Sequence, residues 1–102
     1  MNQETSAKFK PARLHAFVEG IVQNVGFRAY VLDCAARLRL VGWVRNTWQG
    51  EVEVVAEGPR GDLEFLLEML RKGPPAAMVT RVRQEWETPT GEFSRFLVRL
   101  SG

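Results

Sequence analysis

The sequence predicts an α+β fold: two helices covering one face of a mainly antiparallel sheet. Three observations predict it. Apolar residues alternate with polar ones in several short segments, they recur at helical spacing in two others, and the order is strand–helix–strand–strand–helix–strand with a last short strand. Two helices on one face are the economical packing for such an order, because each strand then needs only one apolar face.

The first strand is "LHAFVEG", Leu14 to Gly20, ended by glycine. Helical spacing then takes over, with Phe27, Tyr30, Val31, Cys34, Ala35 and Leu38 forming one apolar stripe, and Gly42 is expected to close this helix. "WVRNTW" (43–48) and "EVEVVAE" (51–57) read as strands joined by a hairpin at Gln49-Gly50. In the second of them Val52, Val54 and Ala56 share a face, with Glu51, Glu53 and Glu57 opposite. Asp62 is placed to cap a second helix whose buried face is Leu63, Leu66, Leu67 and Leu70, and Gly73-Pro74-Pro75 stops it. "MVTRVRQEWE" (78–87) alternates with Arg81, Arg83, Glu85 and Glu87 outward, and "SRFLVRL" (94–100) sets Phe96, Val98 and Leu100 on one face. The result is the ferredoxin-like βαββαβ plan with an extra short C-terminal strand. Residues 1–11 read as a flexible tail and 12–102 as the single domain.

Composition narrows the function. In 102 residues, 45% hydrophobic and 25% charged, the formal net charge is only +2, too mild a surplus to imply nucleic-acid binding. One cysteine, Cys34, excludes an internal disulfide. The polar start "MNQETSAKFKPAR" lacks the apolar core of a signal peptide, and charges interrupt every apolar stretch, so a cytoplasmic protein without a membrane span is expected.

The informative stretch is "QNVGFR", residues 23–28, between the first strand and the first helix. Gly26 permits backbone angles that other residues avoid, and Asn24 is the side chain that next best tolerates them. A turn of this kind aims successive N–H groups into one concavity at a helix N-terminus, which favours an anion. Arg28 stands where the helix dipole disfavours a cation, unless a dianion lies in front of it. Its planar fork of donors matches two phosphate oxygens. The alternative is that Gly26 serves turn geometry alone and Arg28 reaches solvent.

The stretch "GIVQNVGFR" resembles the signature of the acylphosphatase family, in which Gly20, Val22, Gln23, Val25, Gly26, Phe27 and Arg28 match and Asn24 replaces a glycine. "GWVRNTWQG" (42–50) is similar to a second pattern of that family, and the resemblance spans about residues 12 to 100. It implies a metal-free hydrolase of acyl phosphates that needs no cofactor and releases a carboxylate and inorganic phosphate. Carried over by position, Arg28 and the N–H groups of Gln23, Asn24, Val25, Gly26 and Phe27 hold the phosphoryl group, and Asn46 orients the attacking water. The expected partner is a small-molecule acyl phosphate, with no nucleic acid and no membrane, and the chain is expected to be a monomer. Carboxylate is a good leaving group, so the absence of an acid–base pair from both motifs is consistent with this chemistry.

Other residues invite competing readings. His15 has no partner carboxylate at an interpretable spacing and reads as a partly exposed strand residue. Cys34 sits on an apolar stripe and reads as an inert thiol. For at least two of Trp43, Trp48 and Trp86, packing is preferred over base stacking. Glu51, Glu53 and Glu57 read as a solvated acidic face, which argues against the main rival from another class, an RNA-binding module of the same strand order. A non-catalytic phosphate- or acyl-phosphate-binding regulatory domain is the other rival. Asn46 discriminates, since a mere binder has no use for a water-positioning amide.

Overall fold

A computed structural model describes residues 7–102 of the chain. The part of the expected tail at residues 1–6 lies outside the described residues. Residues 7–9 are helical, and the Lys10 carbonyl accepts the Arg60 N–H at 3.0 Å. The elements are β1 (Pro11–Ile21), α1 (Phe27–Leu38), β2 (Val41–Asn46), β3 (Val52–Pro59), α2 (Arg60–Lys72), β4 (Met78–Glu87) and β5 (Phe96–Val98). The sheet order is β4-β1-β3-β2-β5. β1 is antiparallel to both β3 and β4, β2 is antiparallel to β3, and β5 runs parallel to β2. The α+β ferredoxin-like architecture read from the pattern is the one observed.

The core lies between the sheet and the helices. Leu14, Ala16 and Val18 of β1, Val44 of β2 and Val52, Val54 and Ala56 of β3 meet Phe27, Val31 and Ala35 of α1 and Leu63, Leu66, Leu67 and Leu70 of α2. The two periodicities, two in the strands and 3.6 in the helices, are what bring these side chains to one layer. The Tyr30 hydroxyl donates to the Met69 carbonyl at 2.8 Å, tying α1 to α2. Among the described residues no helix is long and apolar enough to cross a membrane.

Several local expectations need correction. Gly42 does not close α1. Arg39 does, with φ 56°, its N–H reaching the carbonyls of Ala35 and Ala36. Gly42 instead sits inside β2, where a Cβ would lie 2.0 Å from the Val55 carbonyl oxygen, so its lack of a side chain allows β2 and β3 to approach. Asp62 is not the cap of α2, because the helix already starts at Arg60 after Pro59, and Asp62 sits in its first turn beside the positive end of the dipole. The β2–β3 connection is wider than a two-residue turn: the strands end at Asn46 and restart at Val52, closed by the Thr47 N–H to Glu51 carbonyl bond at 2.9 Å. In the C-terminal strand only Phe96 packs on the core, while Val98 and Leu100 are exposed, since β5 is an edge strand of three residues.

The largest departure concerns the acidic face of β3. Glu53 and Glu57 are not solvated; they are 6% and 5% exposed. Arg13 donates to Glu57 at 2.9 Å, and Thr90 and Gly91 add backbone N–H bonds to the same carboxylate. His15 lies 2.7 Å and the Arg45 guanidinium 2.8 Å from Glu53. His15 thus has the carboxylate partner that its sequence neighbourhood lacks, delivered across the β1–β3 ladder. Glu51 is half-buried against Arg83. Alternation assigns a residue to a face but carries no information on which cations the neighbouring strands place there. Of the tryptophans, Trp86 packs on the core, Trp43 is stacked by Arg45 and Arg99, and Trp48 is exposed.

Burial pushes the Glu57 carboxyl up, but the N–H of Thr90, the Arg13 guanidinium and the N–H of Gly91 outweigh it and hold its pKa below the ordinary 4.5. For Glu53, burial is likewise outweighed by the hydrogen bonds from His15 and Arg45. A carboxylate with a depressed folded-state pKa stabilises the fold above its unfolded pKa, and that stability is lost as pH falls through the folded value. Glu57→Gln is therefore expected to lower unfolding free energy by about 1–3 kcal/mol at pH 7. Its difference from the parent should shrink as pH drops below 4.5. Denaturant titrations at neutral and acid pH check this; a gap that stays constant with pH counts against it.

Candidate active site

The loop from β1 to α1 is built by two left-handed residues. Asn24 has φ 62° and Gly26 φ 79°, so the two positions chosen from residue type alone are the two that turn the chain. Gly26 is the N-cap of α1 and has no side chain to cap it, while its carbonyl accepts the Tyr30 N–H at 3.0 Å. Buried Val22 before the turn and Phe27 after it pin the loop to the core. No acidic residue stands in the first turn of α1 to neutralise its positive end.

The other half of the site comes from the β2–β3 connection. The Gln23 side-chain amide donates to the carbonyls of Thr47 and Glu51, both at 2.9 Å, fastening the first loop to the second. Asn46 is the last residue of β2 and only 7% exposed. Its backbone carbonyl accepts the Gly102 N–H at 3.0 Å, and the Gly102 carbonyl accepts the Trp48 N–H at 3.1 Å. Among the described residues none hydrogen-bonds the Asn46 side chain; the side-chain amide that does bond this region is that of Gln23.

Arg28, Asn46, Asn24 and Gly26 line one open cavity of about 390 Å³, together with Val22, Ala29, Leu32 and Val98. Arg28 and Asn46 are eighteen positions apart in sequence and reach the same cavity because α1 packs against β2 and β5. Arg13, Arg37, Arg45, Arg60, Arg71 and Arg83 all have carboxylate partners; Arg28 is not among them. Among the described residues no carboxylate lines the cavity, and the one charged group that does is cationic.

The remaining expected site residues are placed differently. The side chain of Gln23 is committed to the hairpin, Val25 packs against the core, and Phe27 is buried in it. None of the three lines the cavity, whose wall on this loop is made by Val22, Asn24, Gly26 and Arg28. Ala29, Leu32 and Val98 were not singled out by sequence reasoning as site residues, and the spacing of Ala29 and Leu32 on the helix face that carries Arg28 was the available signal for two of them.

A family model described as Acylphosphatase matches residues 14–98. The chain is 47% identical over 89 residues to an acylphosphatase of Moorella thermoacetica, covering 87% of this chain and 95% of the relative. It is 49% identical over 91 residues to one from Syntrophotalea carbinolica, covering 89% and 99%. The chain belongs to the acylphosphatase family. The crystal structure of an acylphosphatase from Bacillus subtilis superposes with TM-score 0.83 at 34% identity, over 86% of this chain and 98% of that one.

Within the acylphosphatase signature, the single departure, Asn24, stands at a left-handed position where the family's glycine is conformationally at home. Asparagine is the substitution that costs least there. The outer sheet face contributes nothing to this cavity: His15, Glu85 and Glu87 bring ligand atoms within 4.8 Å of one another, but none lines the cavity. Cys34 is half-buried, and burial, then the Asp33 charge, push its thiol up and keep it protonated.

Gly26→Val is expected to weaken inorganic phosphate binding, with strain of roughly 1–3 kcal/mol. A Cβ at Gly26 meets nothing within 4 Å, so the damage is conformational rather than steric. Asn24→Gly keeps the left-handed turn and is expected to be tolerated or to bind phosphate more tightly. Phosphate titrations and thermal melts of the two variants check this; a Gly26→Val variant that binds like the parent would show that the turn does not shape the site.

Proposed function

We propose that the cavity between α1 and β2 is the catalytic site of this acylphosphatase, with the roles divided between Arg28 and Asn46. Membership of the family carries hydrolysis of acyl phosphates to a carboxylate and inorganic phosphate with it. The observation that carries the assignment is that Arg28 and Asn46, each without an intramolecular partner for its side chain among the described residues, line one cavity. The polar atoms of the Asn46 amide are not among the fully enclosed unpartnered ones, so the amide is open to a ligand or water in the cavity.

In this reading the phosphoryl oxygens lie against the N–H groups of residues 23–28 at the start of α1, and the Arg28 guanidinium donates to two of them. The Asn46 side-chain carbonyl accepts a hydrogen bond from water and aims its lone pair at phosphorus. The water oxygen–phosphorus bond forms as the phosphorus–acyl oxygen bond breaks. The acyl group leaves as carboxylate with the electron pair, and the proton of the water passes to a phosphoryl oxygen. Among the described residues no carboxylate or imidazole lines the cavity to take that proton, and none is required with so good a leaving group. Catalysis then consists of positioning and charge stabilisation.

The proposal takes the chain as a cytoplasmic monomer acting on a small molecule without nucleic acid, membrane or metal. The mild net charge agrees with it. So does the outer sheet face, where Phe17 is covered by Arg83 and Trp43 by Arg45 and Arg99 instead of offering bare rings to bases. Neither the RNA-binding nor the regulatory reading is favoured.

Asn46→Ala is expected to lower kcat for benzoyl phosphate by on the order of a hundredfold or more, with competitive inhibition by phosphate nearly intact. Arg28→Ala is expected to lose most phosphate binding, and Arg28→Lys to restore it poorly, since lysine keeps the charge and lacks the fork. A kcat within a few-fold of the parent for Asn46→Ala would remove the water-positioning role. Activity is also expected to be unchanged in EDTA; loss that magnesium or zinc reverses would overturn the metal-free chemistry.

A further inference from the structure

The phosphate reading occupies only the polar end of the cavity. Beyond Asn24, Gly26, Arg28 and Asn46, the lining is Val22, Ala29, Leu32 and Val98. Val22 is buried and belongs to the floor. Leu32 is 38% exposed and Val98 46% exposed, two large apolar side chains left in water at the rim. A single exposed hydrophobe needs no explanation. Two from different elements, flanking a polar cradle in one cavity, have the composition of a ligand pocket: an apolar wall with a few convergent polar groups.

The placement matches the substrate's division into halves. Arg28 and Leu32 are four positions apart on α1, so they stand one turn apart on the same face, with Cβ atoms about 5–6 Å from each other. Ala29 is three positions before Leu32 on that face. Val98 enters from β5, held beside Val44 of β2 by the parallel pairing, and Asn46 follows two residues later on the same face of β2. A phosphoryl group held at Arg28 therefore leaves its acyl substituent with apolar surroundings. Among the described residues no second cation lines the cavity to receive a carboxylate or a second phosphate on the acyl half.

We propose that Ala29, Leu32 and Val98 form the acyl-binding wall of the site, and that the enzyme takes acyl phosphates with an apolar acyl half, aryl or branched alkyl, in preference to those with a small or charged one. This rests on the placement of the phosphoryl group at Arg28 argued above. Burying part of an aryl ring against Leu32 and Val98 corresponds to on the order of tenfold in affinity over a methyl group. An acyl chain bearing its own negative charge gains no such contact and loses water.

The test uses non-hydrolysable methylene analogues, phenacylphosphonate for the aryl case and acetonylphosphonate for the methyl case, titrated calorimetrically beside inorganic phosphate. The parent is expected to bind phenacylphosphonate on the order of tenfold more tightly than acetonylphosphonate. In the Leu32→Ala/Val98→Ala double variant the ratio should fall to within about threefold, with inorganic phosphate bound as by the parent. Leu32→Glu should reject the aryl analogue more strongly still; both wall positions are exposed in the free protein, so the fold is expected to survive, and a thermal melt verifies it. The ratio of kcat/KM for benzoyl over acetyl phosphate should fall in parallel. A parent ratio near one, or a ratio unchanged in the double variant, overturns the wall even if both acyl phosphates are turned over. Binding with the expected ratio but no hydrolysis overturns the catalytic reading and leaves the wall standing. No binding of either phosphonate overturns both.

Discussion

Two hydrogen bonds from one side chain hold the site together. The Gln23 amide spends both of its N–H groups on the carbonyls of Thr47 and Glu51, and so joins the β1–α1 loop to the β2–β3 connection. Without that join, Arg28 would be positioned by α1 and Asn46 by β2, with only side-chain packing between them. With it, the two loops form one body. An intramolecular bond at 2.9 Å made by a half-buried amide contributes about 1 kcal/mol of net stability. Its larger consequence is geometric, since displacement of a reacting group by an ångström costs orders of magnitude in rate.

Around that join the backbone is held from several directions. Gly102 pairs with Asn46 and Trp48, so the segment following β5 lies along the end of β2 where the amide must point. Val22 and Phe27, one on each side of the left-handed turn, are buried in the core and prevent the loop from moving as a free hinge. The site therefore draws its rigidity from the same apolar layer that stabilises the fold. The proposed mechanism uses no acid–base residue whose protonation must be tuned, so preorganisation of donors is the main thing the scaffold has to supply.

The opposite face of the sheet carries a second constraint. Buried Glu53 and Glu57 are held by Arg13, His15 and Arg45 from neighbouring strands, and by the chain at Thr90 and Gly91 that folds over them. This cluster uses up the cations and the carboxylates together, leaving few unpaired acidic charges on that face to compete with a phosphate for arginines. It also anchors the 88–95 segment, which leads into β5 and hence to Val98 at the rim of the cavity. Buried ion pairs of this kind add little or nothing to stability over a well-packed hydrophobic equivalent, but removing one partner leaves a buried charge.

What could be read in the sequence was whatever depends on near neighbours. The alternation in β3 and β4, the stripes Phe27–Val31–Ala35 and Leu63–Leu66–Leu70, and the stop at Gly73 are local periodicities and local backbone preferences, and they led to the fold class without help. The left-handed need at Asn24 and Gly26 was legible for the same reason, because only a few residue types tolerate those angles. Helix ends were less so: Arg39 takes the left-handed cap, and the glycine three residues later is taken up by the close approach of β2 to β3. The partners of Glu53, Glu57 and His15, the exclusion of the Gln23 side chain from the cavity, and the inclusion of Leu32 and Val98 in it were decided only by tertiary structure. Each depends on strand order and register, which bring residues tens of positions apart within 3 Å, and a chain's local pattern does not encode which strand will lie beside which.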